Sequence, residues 1–277
     1  MTYAQRAERY ARKVVSGEIP AALPTRQACQ RHLSDLEAVD SPFRFDPEPA
    51  NRVCAFIELL PHTKGRWAAD GELLALADWQ CFVLCCVFGW LRKSDGLRRY
   101  RRVYIEVPRK NGKSCFTAAV GIHMMVNDGE FGAEVYSGAG TEKQAWEVFG
   151  PARLMVKNTP KLVEAFDISV NAKNLNVLGT ASKFEPVIGK PGDGASPSCA
   201  IIDEYHEHKE STQRDTMRTG MGAMPASKSW QEYRHGYGPD PSGLFGQGNF
   251  GIVTKMGFRL MPQPEHWRNG LVTVPKR

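Results

Sequence analysis

The chain has no hydrophobic run of transmembrane length. Its longest apolar run, residues 81–91, is far short of the roughly 20 residues that a bilayer needs. No membrane span is therefore expected. The N-terminus is charged and has no apolar stretch behind it, which is not the pattern of a secretory signal. The cysteines number seven, an odd count, and none sits in a metal-type pair. Cys81, Cys85 and Cys86 fall in a helix-like apolar run, where buried free thiols and a reducing compartment are expected. No charge of one sign dominates. There are 36 Lys and Arg against 30 Asp and Glu, a net +6 that hints at an acidic partner without establishing nucleic acid. There is no long internal repeat. What remains is 277 residues, 42% hydrophobic and 24% charged. That balance excludes a wholly disordered chain and leaves one large domain or two small ones.

Along the chain, the first 65 residues read as helices with breaks marked by Pro. Residues 3–15 place Ala7, Tyr10, Ala11, Val14 and Val15 at helical spacing, and Gly17 and Pro20 stop the pattern. Residues 52–60 predict a second helix ended by Pro61. Residues 73–91 predict a third, apolar on most faces and so buried. The texture then changes. Residues 102–107 are rich in β-branched and aromatic side chains and predict a strand, followed by a loop to Gly112 and a helix over 114–126. Further strands are expected over 133–137, 184–188 and 198–202, with a helix over 142–155. Strands alternating with helices argue for an α/β fold with a parallel sheet flanked by helices. After Ala223 the chain turns rich in Gly, Pro and aromatics.

Val107-Pro108-Arg109-Lys110-Asn111-Gly112-Lys113-Ser114 lies between a predicted strand and a predicted helix, the context of a phosphate loop. Backbone N–H groups at the helix start would face phosphates, and the helix dipole favours their charge. Lys113 would reach the β- and γ-phosphates of ATP, and the Ser114 hydroxyl would ligate Mg²⁺. Val107 stands where the strict pattern has its first Gly. About ninety residues on, Ile201-Ile202-Asp203-Glu204 ends an apolar strand in two carboxylates. Asp203 would hold Mg²⁺, and Glu204 would act as general base on the attacking water. Taken alone, such acids more often cap the next helix; paired with the upstream loop they read as an ATPase site.

These motifs together resemble the large terminase subunit of tailed bacteriophages, over about residues 73–223. Asp78-Trp79-Gln80 is similar to the family's adenine-recognition motif, with Gln80 the implied base contact. Arg109-Lys110-Asn111-Gly112-Lys113-Ser114 resembles its variant phosphate loop, Tyr136-Ser137-Gly138-Ala139 with Gln144-Ala145 its next strand and helix, and Asp203-Glu204-Tyr205-His206 its acidic motif. The resemblance implies a P-loop ATPase motor that moves double-stranded DNA into a procapsid. The implied cofactors are ATP and Mg²⁺. The implied partners are a portal protein, the small terminase subunit and further copies of the chain on the portal, in the cytoplasm of a bacterial host. Arg109 is either an arginine-finger equivalent or a general source of positive potential. The run Arg92, Lys93, Arg98, Arg99, Arg101 and Arg102 could touch DNA phosphates, although a solvated face is the plainer reading. His206 and His208 read as a solvent-exposed loop rather than a metal site.

Beyond residue 223 the resemblance changes. Trp230-Gln231, Gly236-Tyr237-Gly238-Pro239 and Gln247-Gly248-Asn249-Phe250-Gly251-Ile252-Val253-Thr254-Lys255-Met256-Gly257 are similar to the FAD-binding domain of the vanillyl-alcohol oxidase and p-cresol methylhydroxylase group. The string Arg218-Thr219-Gly220-Met221-Gly222-Ala223 fits both families and marks a crossover point of a chimera. Three regions are therefore expected: a helical region over 1–70, a shortened ATPase domain over 71–223, and a flavin-oxidase-like fragment of α+β type over 224–277. The terminase coupling strand and nuclease acids are not visible, and FAD is not expected to bind, because a site of that size needs walls from a whole domain. The rival readings are a fragment of an FAD-dependent phenol oxidase and a non-catalytic nucleotide-binding remnant. Residues 224–277 hold seven basic residues against three acids, so they carry +4 of the +6 and leave +2 for the rest. The DNA inference thus rests on the motifs and not on charge.

Overall fold

The first helix, α1 (Tyr3–Ser16), shows how local sequence sets the architecture. Thr2 and Gln5 form a reciprocal capping box at its start, and Gly17 ends it at φ +86°. Ala7, Ala11 and Val14 share one face and are fully buried. The structure, a computed structural model, describes residues 1–108, 111–139, 141–188, 197–203 and 217. Next come α2 (Leu23–Glu37), β1 (Phe43–Phe45), α3 (Pro47–Ile57), α4 (Gly65–Ala69), α5 (Asp78–Gly89) and β2 (Trp90–Arg92). The long apolar helix α5 lies between α1 and α3. Its Gly89 admits the Phe45 ring, since a Cβ there would stand 2.5 Å from Phe45 Cε2. Phe43 to Phe45 pair antiparallel with Arg92 to Trp90.

The second layer holds the sheet. Its elements are α6 (Lys113–Val126), β3 (Glu134–Ala139), α7 (Glu142–Lys157), α8 (Pro160–Phe166), β4 (Ile168–Val170), β5 (Leu175–Val177), β6 (Ser182–Ile188) and β7 (Cys199–Ile202). The strand order is β4-β5-β6-β3-β7. Strands β6, β3 and β7 run parallel, as the alternation of strands and helices leads one to expect. Strands β4 and β5 add antiparallel to the far side of β6, so the sheet is open and mixed rather than wholly parallel. Helices α6 and α7 pack on it around Phe184 and Val135, both fully buried. Gly121 lets α6 approach closely, since a Cβ there would lie 2.6 Å from Phe184 Cε1 and 3.1 Å from Ile201 Cδ1. Among the described residues no helix is long and apolar enough to cross a membrane.

Several expectations are corrected. Residues 102–107 carry no strand, and most of them are exposed. β-propensity expresses packing against neighbours, and a segment with no ladder partner gains nothing from it. The helix expected over 73–91 begins at Asp78, because the backbone before it is engaged elsewhere. His62 N–H donates to the Glu72 carbonyl at 2.9 Å and Leu74 N–H to the Leu60 carbonyl at 2.8 Å. The helix expected over 52–60 starts earlier, at Pro47, behind the Asp46 N-cap. Cys81 and Cys85 are fully buried and Cys86 partly so, all as free thiols. Residues 218–277, with the crossover string and the flavin-oxidase-like segment, lie outside the described residues.

Candidate functional site

The segment 107–114 ends by turning into α6. Gly112 is the N-cap residue at φ +71°, a left-handed conformation that side chains disfavour, so glycine is the residue suited to this turn. Asn111 Nδ2 donates to the Pro108 carbonyl at 3.0 Å and braces the loop. Lys113 and Ser114 occupy the first two helical positions, where backbone N–H groups have no partner within the helix. Thr117 returns its hydroxyl to the Lys113 and Ser114 carbonyls at 3.1 and 3.2 Å, fixing the first turn.

Asp203 follows the last residue of β7 and is 7% exposed. Its Oδ1 lies 3.0 Å from Lys113 Nζ, and its Oδ2 accepts the Ser114 hydroxyl at 3.0 Å. Residues ninety apart in sequence thus meet at one corner, because β7 and α6 pack together at the same end of the sheet. The assembled groups are an ammonium, a hydroxyl, a carboxylate and a helix N-terminus. The cation and amides suit phosphate oxygens. The hydroxyl and carboxylate are hard oxygen donors of the kind Mg²⁺ takes, typically one or two from protein beside substrate phosphates. The residues therefore fit a Mg²⁺-nucleotide.

Gln80 sits in the first turn of α5. Its Oε1 accepts the Ala77 N–H at 2.8 Å, which caps the helix and fixes the orientation of the amide. Trp79 packs on Phe116, with ring centroids 5.9 Å apart, and so brings the start of α5 beside the first turn of α6. Asp78 is held by Arg6 at 3.0 Å and Arg9 at 3.4 Å. Sequence reasoning missed these arginines. No local signal links residues some seventy positions apart, and only the packing of α1 on α5 reveals them.

The basic run is partly consumed by structure. Arg92 pairs with Asp95 at 2.8 Å, Arg98 with Asp128, and Arg99 with Asp35 at 2.6 Å. The Arg99 guanidinium also stacks 4.2 Å from the Phe43 ring centroid. Lys93, Arg101 and Arg102 are exposed. Three of the six are thus tied into the fold, Arg98 to the residues that follow α6, and three face solvent. A hollow of about 450 Å³ lined by Leu59, His62, Leu73 and Thr159 does not include the phosphate-loop residues. Geometry and chemistry mark the site better than cavity size. Arg109, Lys110, Glu204, Tyr205, His206 and His208 lie outside the described residues.

Comparison with known proteins follows the same residues. A family model described as the terminase large subunit ATPase domain matches residues 78–230, more than half of the chain. The large terminase subunit of Enterobacteria phage HK97 is 33% identical over 180 residues, covering 62% of this chain and 34% of that protein. The crystal structure of the HK97 bacteriophage large terminase is similar at a TM-score of 0.52 and 27% identity, covering 63% of this chain and 35% of that one. A stretch of 50 residues is 58% identical to the flavoprotein subunit of 4-cresol dehydrogenase (hydroxylating) from Pseudomonas putida. It covers 18% of this chain and 10% of that protein. The chain thus spans about a third of the length of the phage protein and a tenth of the flavoprotein.

Proposed function

Because the chain belongs to the family of terminase large subunit ATPase domains, we propose that it is a Mg²⁺-dependent ATPase that drives double-stranded DNA into a procapsid. The observation that carries this reading is the meeting of Lys113, Ser114 and Asp203 at the N-terminus of α6. Lys113 and the first-turn amides hold the β- and γ-phosphates. Ser114 and Asp203 hold Mg²⁺, which when bound neutralises charge on the phosphate oxygens. Glu204 follows Asp203 directly in sequence and takes the proton of the attacking water. Gln80 reads the base. Arg109 either stabilises charge on the transferring phosphoryl group or raises the local potential. Hydrolysis is coupled to DNA by several copies of the chain on a portal, with the small terminase subunit as a further partner.

The regions proposed are a helical one over 1–70, the ATPase domain over 71–223 and an appended segment over 224–277. The family match runs to residue 230, a few positions past the string shared by the two resemblances. The short flavoprotein match supports a chimeric origin for the appended segment. No flavin chemistry is assigned to it, and the purified protein is expected to be colourless.

Phosphate release from ATP tests the reading. The protein is expected to hydrolyse ATP with Mg²⁺ and to stop when EDTA is added. Glu204→Gln should bind ATP yet lose turnover by about 10²-fold or more, the range for removing a general base. Undiminished turnover in Glu204→Gln would remove that residue from the mechanism.

A further inference from the structure

The segment that opens α5 is held from outside on both of its backbone edges. Arg6 of α1 donates from Nη2 to the Leu76 carbonyl at 2.7 Å and to Asp78 Oδ1 at 3.0 Å, and its Nε reaches that oxygen at 3.1 Å. Glu58 grips the opposite edge. Its Oε1 accepts the Leu76 N–H at 2.9 Å and lies 3.7 Å from Arg6 Nη1, while its Oε2 accepts the Tyr3 hydroxyl at 2.5 Å. Burial, then Glu58, pushes the Tyr3 hydroxyl up to about 12, so it remains a neutral donor. Leu76 itself is 6% exposed.

Gln80 caps α5 through the Ala77 N–H, and that bond needs the Ala77 backbone in place. The clamped residues flank that cap on either side. A Gln amide presents a donor and an acceptor that exchange places when it rotates by half a turn. Adenine offers an amine donor where guanine offers a carbonyl acceptor. A rotating amide would accept both bases, whereas one locked by the Ala77 N–H keeps its oxygen in a fixed place, with the second lone pair left to take the adenine amine. The lock holds only while Ala77 is held, and Ala77 lies between two residues gripped by Arg6.

We propose that Arg6 is a positioning residue for nucleotide selectivity, holding residues 76–78 so that Gln80 distinguishes adenine from guanine. The inference rests on the ATP-site reading above. Trp79 against Phe116 carries the placement to the first turn of α6, beside Lys113 and Ser114. Arg6 touches no reacting atom in this scheme and acts through Gln80.

The test compares binding of non-hydrolysable ATP and GTP analogues by the full chain, with steady-state hydrolysis alongside. Arg6→Ala is expected to lower the ATP-over-GTP preference about tenfold, the worth of one charge-assisted hydrogen bond, and to raise KM for ATP with kcat little changed. Arg6→Lys keeps the charge but loses the fork, and is expected to fall between wild type and Arg6→Ala. Arg12→Ala, which removes an exposed charge paired with Glu8 on the same helix, is expected to behave as wild type. An unchanged preference in Arg6→Ala, or in Arg6→Lys should the first variant not fold, overturns the proposal while leaving the ATP site standing. Wild-type protein that binds neither analogue overturns the ATP-site reading and this proposal with it.

Discussion

Replacing Lys113 with Ala is expected to lower ATP hydrolysis by about 10²-fold or more while leaving the fold in place. That size is typical for removing one preorganised electrostatic group aimed at developing charge. Lys113 is anchored at the first position of α6 and its ammonium already faces a carboxylate oxygen at 3.0 Å. Phosphate oxygens would be held in the same direction, so the loss falls on nucleotide binding and further on the transition state. The cost to folding is smaller. Asp203 retains the Ser114 hydroxyl at 3.0 Å, and the Lys113 side chain is 28% exposed, so solvent weakens the pair that is lost. Circular dichroism should match wild type while phosphate release fails. Turnover within twofold of wild type would show that Lys113 carries no catalytic load.

Acid is expected to destabilise the protein well above the pH at which carboxylates titrate. His32 and His123 are almost fully buried, and burial pulls each imidazole down from 6.5 to about 4. His32 Nδ1 accepts the Trp90 indole N–H at 3.0 Å, a bond that requires that nitrogen unprotonated. His123 is flanked edge-on by Phe56 and Phe88. Below pH 6.5 the unfolded chain takes up protons at these residues and the folded chain does not, so stability falls with pH until about pH 4. By pH 5 the two together remove roughly 4 kcal/mol, a large share of a typical domain's stability. Urea unfolding followed by tryptophan fluorescence should show a midpoint that drops steeply between pH 7 and pH 5. The double variant His32→Gln/His123→Met should flatten that slope. A midpoint equal at pH 7 and pH 5 contradicts the assignment.

What could be read from the sequence divides along physical lines. Helix α1 was legible because its apolar spacing, the Gly17 stop and its buried face agree. Strands β3 and β7 were legible as short apolar runs between turn signals, and β7 runs directly into its acid. Lys113, Ser114 and Asp203 could be nominated because their chemistry is local to motifs, and the structure brings those three together. The hairpin of β4 and β5 was not legible. Its two strands have three residues each and exist through pairing, not periodicity. Residues 102–107 failed for the converse reason, having strand composition without a strand's neighbours. The Arg6 clamp was invisible because its partners lie fifty to seventy positions away and meet only after helices pack.

Isothermal titration with a non-hydrolysable ATP analogue, with and without Mg²⁺, tests most directly that the corner of Lys113, Ser114 and Asp203 is a nucleotide site. Wild-type protein is expected to bind one analogue per chain, more tightly with Mg²⁺, and the Lys113→Ala variant to bind at least about tenfold more weakly. Equal affinity in wild type and Lys113→Ala, or no heat of binding in wild type, would contradict it.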